Sequence, residues 1–108
     1  MEHLIVYGTL QPGHENAHIL DDIKGVWTKG YVKGFLHPEG WGYTQGYPAL
    51  KIDPNGNEVP AHCLSSEELH LHWDRLDQFE GIEYKRVLTE FHTQEGQVIK
   101  GYLYELNQ

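Results

Sequence analysis

The sequence has a single cysteine, Cys63. One thiol rules out an internal disulfide and a zinc site built from several cysteines of one chain, and it fits a reducing compartment. Basic residues are scarce: 8 Lys and Arg stand against 16 Asp and Glu, for a formal charge of −8. That balance argues against general attraction to nucleic acid backbones or anionic membranes. No stretch nears the ~18 consecutive apolar residues of a membrane span. The start shows no basic segment followed by an apolar run, so no secretory signal is expected. Linkers, repeats and low-complexity segments are missing too. The expectation is a single cytoplasmic domain over 1–108, with no nucleic acid or membrane partner.

What is present suits a folded core: 39% of the 108 residues are hydrophobic and 12% are aromatic, too rich a mixture for disorder. Leu4–Tyr7 is a short apolar run ending at Gly8, which predicts an interior strand. "QPGHENAHILDD" opens with turn residues and then turns helical, with Ile19, Leu20 and Ile23 on its apolar face. "GVWTKGYVKGFLHP" is β-rich and punctuated by glycine. A glycine- and aromatic-rich loop or hairpin with Trp41, Tyr43 and Tyr47 feeds a strand at Ala49–Ile52. Asn55-Gly56 marks a tight turn that accepts positive φ angles, and Val59–Leu64 returns as a strand. "SSEELHLHWDRLDQFEG" is the clearest helix, capped by Ser65 or Ser66, with Leu69, Trp73 and Leu76 at helical spacing and Gly81 closing it. "YKRVLTEFHT" and "VIKGYLYEL" are strands joined across "QEGQ". Glycine-punctuated strands of this kind serve a curved sheet or small barrel.

Two stretches carry candidate chemistry. In "YGTL" (7–10) a strand gives way to a glycine-containing loop, which frees consecutive backbone N–H groups. Such groups bind carboxylate or carbonyl oxygens at no side-chain entropy cost. Gly8 and Gly13 have the spacing of phosphate-loop glycines, but no Lys-Ser/Thr follows, so a nucleotide-phosphate loop is excluded. In "LDQFEGIEYKR" (76–86) Asp77 and Glu80 are three apart near a helix end and share adjacent parts of one face. Leu76 and Phe79 flank them. A carboxylate at the edge of an apolar wall has its charged form disfavoured and becomes a better proton carrier near neutral pH. The bland alternatives are an ordinary strand-to-loop turn and a solvated acidic helix end.

Other candidates are weaker. His14 and His18, four apart, would face one way on a helix. With no HExxH and no third ligand by spacing, no metal site is expected. Cys63 neighbours His62, but adjacent strand residues point to opposite faces, so a buried structural thiol is the better reading. Tyr102 and Tyr104, with Trp41, Tyr43 and Tyr47, serve either a pocket or the core.

Taken together, "VYGTL" near the start, "GYPAL" at 46–50 and "LDQFEGIEYKR" resemble, in that order, the gamma-glutamylcyclotransferase-like family, nearest its small gamma-glutamylamine cyclotransferase-like branch. The resemblance covers nearly the whole chain. Its most specific part is Asp77, Glu80, Gly81, Tyr84 and Arg86 combined with the early Tyr-Gly-Thr-Leu. The chain departs from the family at Pro60 and Ala61, where a Gly-Glu pair is usual. The resemblance implies an α+β fold, a small mixed β-barrel with a few helices and one pocket. It implies that Tyr7, Gly8, Thr9 and Leu10 bind the glutamyl group through backbone donors and that Glu80 is the proton carrier. The activity implied is metal-independent and cofactor-free: cyclisation of a γ-glutamyl amine or amide to 5-oxoproline with release of the amine. The rival expectation is a non-catalytic small-molecule binding module on the same fold, since fold does not fix function.

Overall fold

The computed structural model describes residues 1–37 and 49–107. Among these are six strands: β1 (Glu2–Val6), β2 (Val26–His37), β3 (Ala49–Ile52), β4 (Asn57–Ser66), β5 (Tyr84–Thr93) and β6 (Val98–Leu106). They are joined by one α-helix, α1 (Trp73–Glu80), and two 3-10 segments, Ala17–Leu20 and Leu69–Leu71. The strand order is β3-β2-β4-β1-β6-β5, and β5 pairs back onto β2. Five strands thereby close into a barrel, with β3 added beside β2. The β1–β6 pairing is parallel and the others are antiparallel. The α+β mixed barrel read from the sequence is the fold observed.

Strand alternation builds two cores. Ile5, Cys63 and Leu103 point one way and pack with Val32, Leu50 and Phe91; every strand contributes, so this cluster fills the barrel. Their neighbours Leu4, Leu64 and Tyr104 point the other way and pack with Leu20, Ile23, Leu69 and Leu76 under the helical layer. This period-2 division explains why Cys63 lies in the barrel and is pushed up to about 11 by burial, while His62 faces the opposite side. Closure rests on few residues: Gly30 pairs with Thr93 and Tyr31 with His92. A Cβ on Gly30 would run into the His92 carbonyl oxygen.

β3 is held on its second edge by side chains. In its pairing with β2, the N–H groups of Leu50 and Ile52 point away from the ladder. The Leu50 N–H donates to the Tyr7 hydroxyl (3.1 Å) and the Ile52 N–H to Glu105 Oε2 (3.0 Å). Glu105 is buried for this purpose, with Lys51 Nζ and Lys85 Nζ at 3.7 and 3.8 Å from its other oxygen. An edge left open would be a liability for pairing with other chains.

Two sequence expectations are corrected. The single helix expected over 65–81 is three pieces, because β4 runs on through Ser66, paired with Glu2 of β1. A 3-10 turn follows, and α1 begins only at Trp73. Ser66 caps nothing in α1; its hydroxyl donates to the Lys24 carbonyl and accepts from the Glu68 N–H. Ladder pairing outweighs the local helix signal there. At the Asn-Gly turn, Gly56 has no positive φ. A glycine is needed because a Cβ would lie 2.5 Å from the Gly34 carbonyl oxygen of β2. Trp41, Tyr43 and Tyr47 fall outside the described residues. No helix among the described residues is long and apolar enough to cross a membrane.

Gly30→Ala should destabilise the protein by about 2–3 kcal/mol through backbone overpacking at the closure. Urea unfolding of the variant beside wild type measures this.

Candidate functional site

The site grows from the end of α1. Gly81 closes the helix with φ +82°, its N–H bonded to the Asp77 carbonyl, and such a conformation suits glycine. One turn earlier, the Asp77 side chain reaches the barrel. Its Oδ1 accepts from the Tyr104 hydroxyl at 2.6 Å and pairs with Arg86 Nε at 3.4 Å. Arg86 and Tyr104 are cross-strand partners on β5 and β6, so one carboxylate oxygen pins the helix to a single rung of the barrel. The Arg86 guanidinium also covers the Trp73 ring, 4.3 Å from its centroid, with Tyr102 at 5.4 Å, a cation–π arrangement that holds the start of α1 as well. Trp73 packs edge-on against Tyr102 and donates its indole N–H to Glu2. Of the conspicuous 76–86 motif, Asp77, Arg86 and Gly81 thus set the position of the helix end.

Glu80 is what that arrangement places. Its side chain is half-buried, and burial raises its pKa from the ordinary 4.5 to about 7. No hydrogen bond or ion pair engages the carboxyl group among the described residues. Its charge acts on the hydroxyls of both Tyr7 and Tyr104, raising each; for both tyrosines desolvation is the larger cause. Tyr7 also feels Tyr84 and Glu105. Asp77, one turn before Glu80, accepts from the Tyr104 hydroxyl, and the Tyr104 carbonyl accepts from Tyr7, so a chain of contacts runs from the end of α1 to the end of β1. The wall beside Glu80 differs from expectation: Leu76 is fully buried, but Phe79 is 43% exposed and turns outward.

The segment after β1 has a distinct organisation. The Tyr7 side chain points into the protein, its hydroxyl donating to the Tyr104 carbonyl (2.7 Å) and accepting from Leu50; it locks three strands together. Beyond it, the loop carbonyls are anchored. Gly8 O accepts from both the backbone N–H and the side-chain Nε2 of Gln11, each at 3.2 Å. Thr9 O accepts from the Asn16 N–H at 2.8 Å, and Thr9 Oγ1 from Asn16 Nδ2 at 2.9 Å. The N–H groups of Gly8, Thr9 and Leu10 donate to no protein acceptor among the described residues. Leu10 itself is buried in the core beneath the helical layer. The chemistry available is a set of backbone donors with no protein acceptor among the described residues and a carboxyl group whose pKa burial raises to about 7.

The sequence reading singled out Glu80 and 7–10 but missed Gln11, Asn16 and Tyr104 as supports. Their signals, a Gln after a turn, an Asn before an apolar run and a strand Tyr, are generic. His14 lies outside the 3-10 segment that begins at Ala17, so the helical face shared by His14 and His18 does not form. No group of three metal-capable side chains occurs among the described residues.

Comparison with known proteins adds a second line. The family model described as gamma-glutamyl cyclotransferase, AIG2-like, matches residues 4–108. No curated protein matches. Among solved structures, an AIG2-like protein of Mus musculus superposes with a TM-score of 0.74 at 26% identity, covering 99% of this chain and 78% of that one. A gamma-glutamyl cyclotransferase gives 0.66 at 16% identity, covering 99% and 67%. An uncharacterized protein of Pyrococcus horikoshii gives 0.66 at 18% identity, covering 100% and 80%.

The raised Glu80 pKa predicts a pH-dependent cost to folding. Below about pH 4.5 the carboxyl is neutral in both states. Above it the unfolded chain ionises first, so stability falls as pH rises through about 7. Glu80→Gln should therefore match wild type in stability near pH 4 and exceed it at pH 8 by up to about 3 kcal/mol. Denaturant midpoints at the two pH values check this.

Proposed function

Because the chain belongs to the gamma-glutamyl cyclotransferase, AIG2-like family, we propose that it cyclises a γ-glutamyl amine or amide to 5-oxoproline and releases the free amine. The substrate carries its own nucleophile. Its α-amino nitrogen attacks the γ-carbonyl carbon, the ring C–N bond forms, and the bond to the leaving nitrogen breaks. Glu80 accepts the proton from the attacking amine and returns it to the leaving amine, so atoms and protons balance with no covalent intermediate. Ring closure is intramolecular, and holding the glutamyl chain bent supplies much of the acceleration. The N–H groups of Gly8, Thr9 and Leu10 grip the glutamyl group and meet the negative charge that develops on the carbonyl oxygen. Tyr7 fixes where that loop begins.

The observation that carries this reading is the Glu80 carboxyl: unpaired among the described residues and raised to about 7 by burial, beside the end of β1. A carboxylate with an ordinary pKa would be a weak base for an amine, whereas one near 7 is matched to the working pH.

The test is a panel of γ-glutamyl amines and amides with detection of 5-oxoproline. Wild type should turn over members of the panel, with kcat/KM rising as pH increases through about 7 because Glu80 must be ionised to accept a proton. Glu80→Gln keeps the shape and should lose activity by about 10²–10⁴-fold. Binding without turnover by wild type across the panel would favour a non-catalytic binding module instead.

A further inference from the structure

Behind the 7–10 loop lies a chain of polar contacts, buried at Gln11 and half-buried at His62, that composition and spacing did not reveal. Gln11 is only 8% exposed. Its Nε2 donates to the Gly8 carbonyl and its Oε1 faces His62 Nδ1 at 2.8 Å. The Gly8 oxygen is an acceptor only, which fixes which end of the Gln11 amide faces it. The Oε1 end is then left for His62, so His62 must carry its proton on Nδ1 and donate. His62 is itself set edge-on against Trp27, with ring centroids 6.3 Å apart at 82°. Orientation therefore passes from β4 through His62 to Gln11, and from Gln11 to the first peptide of the loop.

That peptide matters because of its geometry. In a trans peptide unit the C=O and the following N–H point in opposite directions. Pulling the Gly8 carbonyl inward, with two donors from one residue, aims the Thr9 N–H outward. The next peptide is set the same way by Asn16, whose backbone N–H holds the Thr9 carbonyl and so aims the Leu10 N–H. We propose that Gln11, oriented by His62, is a positioning residue of the loop: it turns the Gly8–Thr9 peptide so that the Thr9 N–H faces the ligand. The proposal rests on the reading of 7–10 as the glutamyl-binding loop. Gln11 touches no substrate and acts only through the peptide plane it holds.

The experiment uses 5-oxoproline as the probe and reads the backbone amides of 15N-labelled full-length protein. In wild type, 5-oxoproline should perturb the Thr9 and Leu10 amides. Gln11→Met removes both side-chain bonds and keeps the bulk; Gln11→Glu keeps an acceptor for His62 and loses the donor to Gly8. Both should weaken 5-oxoproline binding about tenfold, the scale of one hydrogen bond to a fixed acceptor, with the loss greater at Thr9 than at Leu10. In turnover assays both should raise KM more than they lower kcat. His62→Phe should give a smaller loss in the same direction and add nothing in the Gln11→Met background, since it acts through Gln11. If a Gln11 variant does not fold, the His62→Phe measurement decides. Unchanged Thr9 perturbation in the variants, or no response of Thr9 and Leu10 in wild type, overturns the proposal. Amides that respond as described in a protein that cyclises no panel member would sink the enzymatic reading and leave this one standing.

Discussion

The Asp77 Oδ1 contact with Tyr104 and Arg86 is the tether on which the rest depends. It joins α1 to β5 and β6 at one cross-strand pair, and Arg86 extends the hold to Trp73 at the other end of the helix. Eight residues of isolated helix would not be stable in water. Packing of Leu76 into the core supplies burial, but burial alone is non-directional. The hydrogen bond and ion pair fix the rotation of the helix. Three residues beyond Asp77, on an adjacent part of the same face, comes Glu80, and Gly81 ends the helix at once. The spacing Asp-x-x-Glu-Gly is therefore a mechanical statement: tether, one turn, carboxylate, stop.

What the tether delivers is an energetically unfavourable placement. Nothing among the described residues neutralises Glu80, and its ionised form is penalised by desolvation. Glu105 shows what a structural carboxylate at this barrel end looks like instead: it is buried, but it accepts a backbone N–H and faces two lysines. The contrast between the two acids separates a group that serves the fold from one that the fold must support. The 7–10 loop follows a parallel logic: the Gly8 and Thr9 carbonyls are bonded by Gln11 and Asn16, and the N–H groups of Gly8, Thr9 and Leu10 find no protein acceptor among the described residues. On the proposed reading, donors and base are both prepared before any ligand arrives, which is where preorganised electrostatics derive their catalytic value.

Much of this fold was legible. The β3, β5 and β6 spans read from the sequence agree with the structure, because each is a run bounded by strong turn residues. The barrel was legible from glycine-punctuated strands together with the family resemblance. The region 65–81 was not, since Ser66 and Glu68 read locally as a helix start while pairing with β1 keeps Ser66 in a strand. Long-range pairing of that kind leaves no local signal. In the site, Glu80 and 7–10 stood out because a carboxylate beside a helix-ending glycine and a glycine turn after a strand are local patterns. Gln11, His62 and Tyr104 did not. Gln11 and His62 are 51 positions apart and Tyr104 and Asp77 are 27 apart, and only the closed barrel brings each pair together.

The most direct test of the account is a 13C NMR titration of the Glu80 side-chain carboxyl in the intact protein. A desolvated carboxyl with no partner among the described residues, held at the barrel end by the Asp77 tether, should titrate with a midpoint of about 7. A midpoint at the ordinary glutamate value of about 4.5 would mean that Glu80 is open to solvent or paired, and would contradict the account.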